Sequence, residues 1–197
     1  LSTIEGIDPS WNMGQTRWYG KPKPDSTYVI ALDPSMGTGG DYAAIQVFEL
    51  PSYKQIAEWR HNTTPIPSQI RILKDICVYI KEECQNDGQN IYWSVENNSI
   101  GEGALIVIRD MGEENIPGMC VSEPIRKGRV RKFRKGFNTT HSTKISACTR
   151  LKNMIETDRL KVHSKILVSE LKAFVASGSS YKAKPVSYTH LTLPTKA

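Results

Sequence analysis

Apolar and β-forming residues are concentrated in three short runs near the start of the folded region. The runs cover residues 28–32, 43–50 and 53–60, and Pro51-Ser52 separates the last two. Runs of this length and composition are typical of strands, and a turn-forming pair between two of them predicts a hairpin. We therefore expect the sheet to begin with antiparallel strands.

A helical period replaces the strand pattern from about Ser68. Apolar side chains then recur three or four positions apart, at Ile70, Leu73, Cys77, Ile80 and Cys84. This spacing predicts a helix with one buried face. Further along, residues 90–96 (NIYWSVE) predict a strand, GEGALIVIRDMG a second helix, and GMCVSE another strand.

The last third of the chain predicts two more helices around a short strand. Ser142 or Thr143 can cap a helix whose inward side chains are Ile145, Cys148, Leu151 and Ile155. RLKVH predicts a strand, and the final amphipathic helix carries Leu167, Leu171, Phe174 and Val175. The order β-β-β-α-β-α-β-α predicts an α/β fold, in which a mixed sheet is flanked by helices.

Residues 1–26 differ from the rest of the chain. They are rich in glycine, proline and polar residues and have little periodicity. Such a composition predicts a linker or arm that leads in from a preceding domain. The folded domain is therefore expected over residues 27–185.

Composition favours a folded domain outside membranes. Hydrophobic residues make up 39% of the 197 residues and charged residues 23%, which is typical of a globular chain. No apolar run reaches the roughly 20 residues of a membrane helix, and no signal-peptide pattern opens the chain. The four cysteines lack metal-ligand spacing, so we interpret them as reduced thiols in a protein that is not secreted.

The positive charge is concentrated in one segment. The net charge is +6, and RKGRVRKFRK, residues 126–135, contains seven cations in ten residues. Val130, Phe133 and Phe137 are interleaved with them, which predicts an anchored loop or hairpin that binds a polyanion through its phosphates. The candidate DNA-binding residues are Arg126, Lys127, Arg129, Arg131, Lys132, Arg134, Lys135 and Lys144.

Two acids end two of the predicted strands. Asp33 follows the run at 28–32, and Glu96 ends the run at 90–96. A right-handed crossover would place these strands side by side and parallel, so both acids would emerge at one edge of the sheet. Paired carboxylates without histidine or cysteine suit Mg²⁺ or Mn²⁺, and two such ions are typical of phosphodiester hydrolysis. Asp41 could approach as a supporting ligand.

Other interpretations of these acids stay open. Asp33 before Pro34 is typical of a turn, and Glu96 could be a polar strand end. The chain has no GxxxxGK[ST] segment, which excludes a P-loop. An actin-like or sugar-kinase ATPase also has an aspartate after its first strand. That alternative would need a second, duplicated half, which the sequence does not contain.

Three segments carry a resemblance to a known family. YVIALDPSMGTGGDY, IYWSVENNSIGEGAL and the stretch from GFNTTHSTK to SSYKAK resemble, in that order, the C-terminal nuclease domain of the large terminase subunit of tailed bacteriophages. The resemblance covers roughly residues 27–184. It implies a ribonuclease H-like fold, and an endonuclease that cuts concatemeric double-stranded viral DNA with two carboxylate-bound metal ions.

By position, the resemblance makes Asp33 and Glu96 the first two catalytic acids and gives Asp41 a supporting role. The family's third acid comes from a paired-aspartate motif, whereas this chain has no acid after Glu170. We expect residues 186–197 to be a non-native tail, similar to translated sequencing adaptor, and the domain to be truncated at both ends.

The resemblance also implies partners and a location. Portal protein and small terminase subunit are the expected partners besides DNA, and the host cytoplasm is the expected place. The remaining alternatives are a DNA-binding module of the same fold without catalysis and a resolvase-like nuclease. A resolvase would dimerise and prefer branched DNA.

Overall fold

The protein forms a mixed β-sheet with helices on both faces. The computed structural model describes residues 4–127, 130–177 and 180–183, and only the backbone of residues 124–134 and 175–183 within them. In this part of the chain, seven strands form one sheet in the order β1-β2-β5-β4-β3-β6-β7. The strands are β1 (Trp11–Met13), β2 (Thr16–Trp18), β3 (Thr27–Asp33), β4 (Ala43–Leu50), β5 (Lys54–His61), β6 (Ile91–Val95) and β7 (Met119–Cys120).

Two hairpins and four helices complete the described structure. The hairpins are β8 (Ser122–Lys127) with β9 (Val130–Lys135), and β10 (Phe174–Ser177) with β11 (Ser180–Ala183). The helices are α1 (Ile66–Cys84), α2 (Ser99–Met111), α3 (His141–Glu156) and α4 (Lys165–Ala173), and a 3₁₀ turn covers Glu113–Asn115. The predicted α/β class is confirmed.

Strand β3 is the centre of the sheet because it pairs in both directions. It is antiparallel to β4, with Ala31 opposite Gln46, and parallel to β6, with Leu32 opposite Val95. The crossover through α1 therefore returns the chain beside its first long strand, as the sequence predicted. Strands β4 and β5 form the expected hairpin.

Period-two burial in these strands separates the two faces of the sheet. Side chains that alternate along β3, β4 and β6 are fully buried and pack against α1 and α2. They are Tyr28, Ile30, Leu32, Ile45, Val47, Ile91, Trp93 and Val95. Burial of this apolar face is the main stabilising contribution to the domain. The helical positions predicted to face inward on α1, including Leu73 and Ile80, are buried there.

The opposite face carries a smaller core and is only partly covered. Ile155, Leu160, Val162 and Val168, from α3, α4 and the segment between them, pack with Phe48 of β4. Val29 and Ala31 of β3 stay exposed on this face. An open, shallow region is left there beside the strand ends.

A buried polar network joins α4 to this second face. Oε1 of Gln55 accepts hydrogen bonds from the backbone N–H groups of His163 and Ser164, both at 2.8 Å. The Glu58 carboxylate, 1% exposed, accepts from the Ser164 hydroxyl at 2.6 Å and is paired with Arg17 at 2.9 Å. Because the groups are buried, losing one partner would leave the others unsatisfied.

The prediction of a linker or arm over residues 1–26 is wrong for residues 11–18. This stretch forms β1 and β2, and β2 pairs with β5 at the edge of the sheet. Trp18 is fully buried, and the Trp11 ring stacks on it with ring centroids 5.9 Å apart. Burial of the large tryptophan surface explains why a segment of irregular composition becomes part of the domain.

Three predictions in the last third are also wrong in detail. Helix α3 is capped by Thr140, which exchanges hydrogen bonds with Thr143 in a capping box, so Ser142 and Thr143 lie inside the helix. RLKVH, residues 159–163, makes a single bridge to β5, because the Gln55 side chain takes the next backbone N–H groups. Helix α4 ends at Ala173, and the β-forming pair 174–175 joins β10 instead.

The cysteines and the helices test two predictions from composition, that the cysteines are reduced thiols and that the chain has no membrane helix. All four cysteines are free thiols, and burial raises the pKa of both core thiols, Cys77 and Cys84. In the described parts of the chain, no helix combines the length and the apolar character needed to cross a membrane.

The start of α2 is packed tightly against the end of β6. Asn98 caps the helix by accepting hydrogen bonds from the N–H groups of Ile100 and Gly101. A Cβ atom on Gly101 would lie 1.8 Å from the carbonyl oxygen of Glu96, whereas a Cβ on Gly103 would lie 3.7 Å from its nearest neighbour. The first glycine is therefore required by the close approach and the second is not.

We expect Gly101→Ala to destabilise the domain by about 1–3 kcal/mol, because the added methyl group must displace the backbone of Glu96. Gly103→Ala, the matched control on the same helix, should stabilise it by about 0.5–1 kcal/mol, because alanine loses less backbone entropy. Urea denaturation of both variants measures the difference. Equal stabilities would contradict the close packing.

Candidate active site

The two predicted acids meet at the carboxyl edge of the sheet. Asp33 is the last residue of β3, and Glu96 follows β6 directly. The backbone N–H of Glu96 donates to the carbonyl oxygen of Leu32 at 2.9 Å, which continues the parallel pairing to the end of both strands. The two side chains are in hydrogen-bonding contact. The structure thus brings together the acids that the sequence predicted to be adjacent.

The contact changes the protonation of Asp33. Loss of surrounding water raises the pKa of Asp33 from its ordinary 3.8 to about 7, although the side chain still reaches solvent. The hydrogen bond to Glu96 and the negative charges of Glu96 and Asp41 act in the same direction. A protonated Asp33 donates this hydrogen bond, and a deprotonated one faces a like charge. This is the electrostatic environment that a divalent cation would relieve.

Asp41 lies in the loop between β3 and β4 and is exposed. Its charge contributes to the raised pKa of Asp33, so it lies near the pair. Within the described residues, no group of three or more histidine, cysteine, aspartate or glutamate side chains is placed to hold a metal ion. The described site is therefore a pair of acids with Asp41 close by.

Gln69 holds the loop that follows Asp33, and sequence reasoning missed it. The side chain is fully buried on α1, and its Nε2 donates to the carbonyl oxygens of Ser35 at 2.7 Å and Thr64 at 2.8 Å. Gly37 has φ +69°, and a Cβ there would lie 2.2 Å from the oxygen of Thr64. The sequence contains one signal for this role, because Gln69 is a polar residue next to Ile70 on the predicted buried face of α1.

Glu96 is oriented by the residues that follow it. Nδ2 of Asn98 donates to Oε2 of Glu96 at 3.3 Å, while its Oδ1 caps α2. The N–H of Asn97 donates to the carbonyl oxygen of Phe137 at 2.7 Å. The N–H of Phe137 donates to the carbonyl oxygen of Val95 at 2.9 Å. The chain after β9 therefore continues the sheet beside the end of β6.

The acids lie in an open pocket of about 510 Å³. Its floor is the exposed face of β3 and β6, and its rim includes Phe137, Thr139 and Glu170. Phe137 is 47% exposed. The pocket is open on the side away from the main core, so an extended polymer could lie across it.

The basic segment forms a hairpin whose root is beside Glu96. Strands β8 and β9 contain the backbones of Arg126, Lys127, Arg131, Lys132 and Arg134, and Arg129 lies outside the described residues. This agrees with the predicted anchored hairpin. Lys135 at its end forms an ion pair with Glu113, which raises the pKa of the lysine.

Lys144, the remaining candidate DNA contact, lies on α3. Its Nζ atom is 6.0 Å from the ring centroid of Phe174.

Paired acids at the ends of adjacent parallel strands, in a mixed sheet with helices on both faces, define a ribonuclease H-like architecture. A model of the family described as terminase RNaseH-like domain matches residues 30–190. The chain belongs to this family. The matched range ends inside the tail expected from residue 186, which lies outside the described residues.

Solved structures share the fold. The large terminase nuclease from thermophilic phage G20c with bound magnesium is 18% identical, with a TM-score of 0.64 over 91% of this chain and 84% of that one. The cobalt-bound form is 17% identical, with a TM-score of 0.64 over 94% and 86%. The Thermus phage P74-26 large terminase nuclease domain is 18% identical, with a TM-score of 0.61 over 91% and 81%. The predicted resemblance is thereby confirmed.

Without divalent cations, Asp33 should make the folded protein less stable as the pH rises. The folded state binds this proton more tightly than the unfolded chain, so the stabilising contribution is complete below about pH 4 and is lost as the pH rises through about 7. Asp33→Asn should therefore gain stability relative to wild type with increasing pH. Urea midpoints in EDTA between about pH 5 and about pH 8 measure this.

Asp75→Asn removes an exposed acid of α1 and is the control. It should follow the pH dependence of the wild type. A constant difference between Asp33→Asn and wild type across the pH range would contradict the raised pKa of Asp33.

Proposed function

We propose that this chain is the metal-dependent endonuclease domain of a viral DNA-packaging terminase, which cuts concatemeric double-stranded DNA by phosphodiester hydrolysis. The observation that carries the proposal is the contact between Asp33 and Glu96 at the carboxyl edge of β3 and β6. Two carboxylates held in contact at the floor of an open pocket are costly without a cation. Family membership supports the same activity.

The donor set fits a hard divalent cation. Asp33 and Glu96 would hold it, with Asp41 in a supporting role, and carboxylate oxygens are the ligands that Mg²⁺ and Mn²⁺ prefer. Relatives with bound magnesium and bound cobalt support the use of divalent ions. When bound, a pair of such ions activates water and stabilises charge on the leaving oxygen.

The chain's own residues prepare this site for a phosphodiester. Gln69 holds the loop after Asp33, and Asn98 holds one oxygen of Glu96, so both carboxylates are oriented before the substrate arrives. The open pocket leaves room for a DNA backbone. Asp33 and Glu96 would hold a divalent cation as carboxylates, so Asp33 would give up the proton that it shares with Glu96.

The hairpin of β8 and β9 would bind the duplex on the side of Glu96. Lysine and arginine on it would neutralise phosphates without reading sequence, so we infer that cutting is largely independent of sequence. Portal protein and small terminase subunit are proposed partners in the intact motor. The host cytoplasm during phage assembly is the proposed location.

A DNA-binding module without catalysis is the second candidate. It is favoured by one observation: the described residues contain two acids in contact but no group of three that could hold a metal ion. The resemblance implies a third acid from a paired-aspartate motif, and this chain has no acid after Glu170. Binding without cleavage is the behaviour that this alternative predicts.

Cleavage of supercoiled plasmid in Mg²⁺ or Mn²⁺ distinguishes the two candidates. In a full-length version that carries the third acid, we expect wild type to produce nicked and linear DNA, and Asp33→Asn and Glu96→Gln to lose more than about a hundredfold in rate. Glu102→Gln, an exposed acid on the first turn of α2, is the matched control and should cut normally. If wild type binds plasmid without cutting it, the second candidate replaces the first.

Neutralising the hairpin tests the DNA contact separately from the chemistry. Four cations are changed to glutamine together: Arg129, Arg131, Lys132 and Arg134. Each lost phosphate contact should reduce the slope of log K against log salt by about 0.9, and affinity should fall. Fluorescence anisotropy of a labelled duplex at several salt concentrations measures both.

The matched control changes four cations that lie before the hairpin and outside the pocket. They are Lys21, Arg71, Lys74 and Lys81. The control should keep the wild-type salt slope. If the two quadruple variants behave alike, the hairpin has no special role in binding DNA.

A further inference from the structure

Arg60 lies in the same row across the sheet as Asp33. Asp33 is opposite Ala44 in the pairing of β3 with β4, and Ala44 is opposite Arg60 in the pairing of β4 with β5. Residues directly opposite each other project from the same face, so Arg60 and Asp33 share one face of the sheet. Two strand spacings separate their backbones by about 10 Å, and only the methyl group of Ala44 lies between.

The Arg60 guanidinium packs against an aromatic ring. Its Cζ atom lies 3.4 Å from the ring centroid of Tyr42, in the segment between Asp41 and β4. Stacking on an aromatic ring leaves the edge of a guanidinium free to donate hydrogen bonds, and that planar edge matches a phosphate with two parallel bonds. Tyr42 therefore orients a group suited to phosphate binding.

The acid that now pairs with Arg60 is exposed. Nη2 of Arg60 lies 3.0 Å from Oε1 of Glu170 on α4, and the Glu170 side chain is 54% exposed. Ion pairs this exposed contribute little to stability, so a competing anion can replace the carboxylate. The Arg17–Glu58 pair, which joins β2 to β5, differs because Glu58 is 1% exposed and has further hydrogen bonds.

Glu170 also borders the pocket that contains Asp33 and Glu96. An anionic polymer entering this pocket would approach the Arg60–Glu170 pair and repel the carboxylate while attracting the guanidinium. Glu170 therefore differs from the exposed acids elsewhere on the surface, because it lies at the pocket and pairs with Arg60.

We propose that Arg60 binds a phosphate of the DNA backbone beside the acid pair, and that Glu170 occupies its guanidinium when DNA is absent. The inference rests on the proposed function and adds to it a substrate-positioning residue and a competing internal anion.

A purely structural pair makes the opposite prediction for one variant. If Arg60 and Glu170 only attach α4 to β5, then removing either charge weakens the domain, and DNA binding falls in both variants. If Glu170 competes with DNA, its removal frees Arg60 and binding becomes tighter. The sign of the Glu170 effect therefore separates the two roles.

The test measures duplex binding by anisotropy against salt in EDTA, where no cleavage occurs. Arg60→Gln should weaken binding by about tenfold and lower the salt slope by about 0.9. Glu170→Gln should tighten binding by about two- to fivefold. In the double variant the gain from Glu170→Gln should vanish, because no guanidinium remains to be freed.

Two controls separate this mechanism from general effects. Asp158→Asn removes one exposed negative charge from the turn after α3, and it should tighten binding less than Glu170→Gln does. Arg60→Lys keeps the charge without the planar edge and should bind with intermediate affinity. Thermal unfolding of every variant reports structural damage.

The outcomes distinguish this inference from the proposed function. If both single variants bind more weakly and unfold at lower temperature, the pair is structural and the inference is overturned. If Arg60→Gln binds as wild type does while the hairpin variant loses affinity, only the role of Arg60 fails. If the chain shows no salt-dependent DNA binding at all, the proposed function fails with it.

Discussion

The parallel pairing of β3 with β6 is the constraint on which the candidate site depends. Hydrogen-bonded strands lie about 4.8 Å apart, so acids at matching ends are forced together whether or not a cation is present. The loop held by Gln69 and the turn capped by Asn98 keep the two carboxylates from moving apart. Burial raises the pKa of Asp33 most, and the enforced proximity of Glu96 raises it further.

The two faces of the sheet have different physical roles. One face buries continuous apolar surface under α1 and α2 and supplies most of the stability. The other face can therefore carry polar side chains at low cost to the fold. Asp33, Arg60 and the network around Glu58 all project from this second face, where the pleat places every second residue of their strands.

Local pattern was enough for the central strands, the first two helices and the adjacency of Asp33 and Glu96. It failed where contacts distant in sequence decide the structure. Residues 11–18 become strands because Trp18 is buried by the rest of the domain. RLKVH does not become a strand, because the Gln55 side chain accepts the hydrogen bond from the backbone N–H of His163. Gln69 and Arg60 matter through partners more than 30 and 100 residues away, to which sequence spacing gives no access.

The hairpin joins the domain through the residues around Phe137, which add one short parallel step to β6. The residues that attach the hairpin to the sheet therefore differ from those that set its length. Insertions, deletions or exchanges of sequence toward the tip can alter how far it extends without disturbing the hydrogen bonds at the root. Related proteins can in this way change the hairpin's contacts with the substrate during evolution without moving Glu96, which lies next to the root.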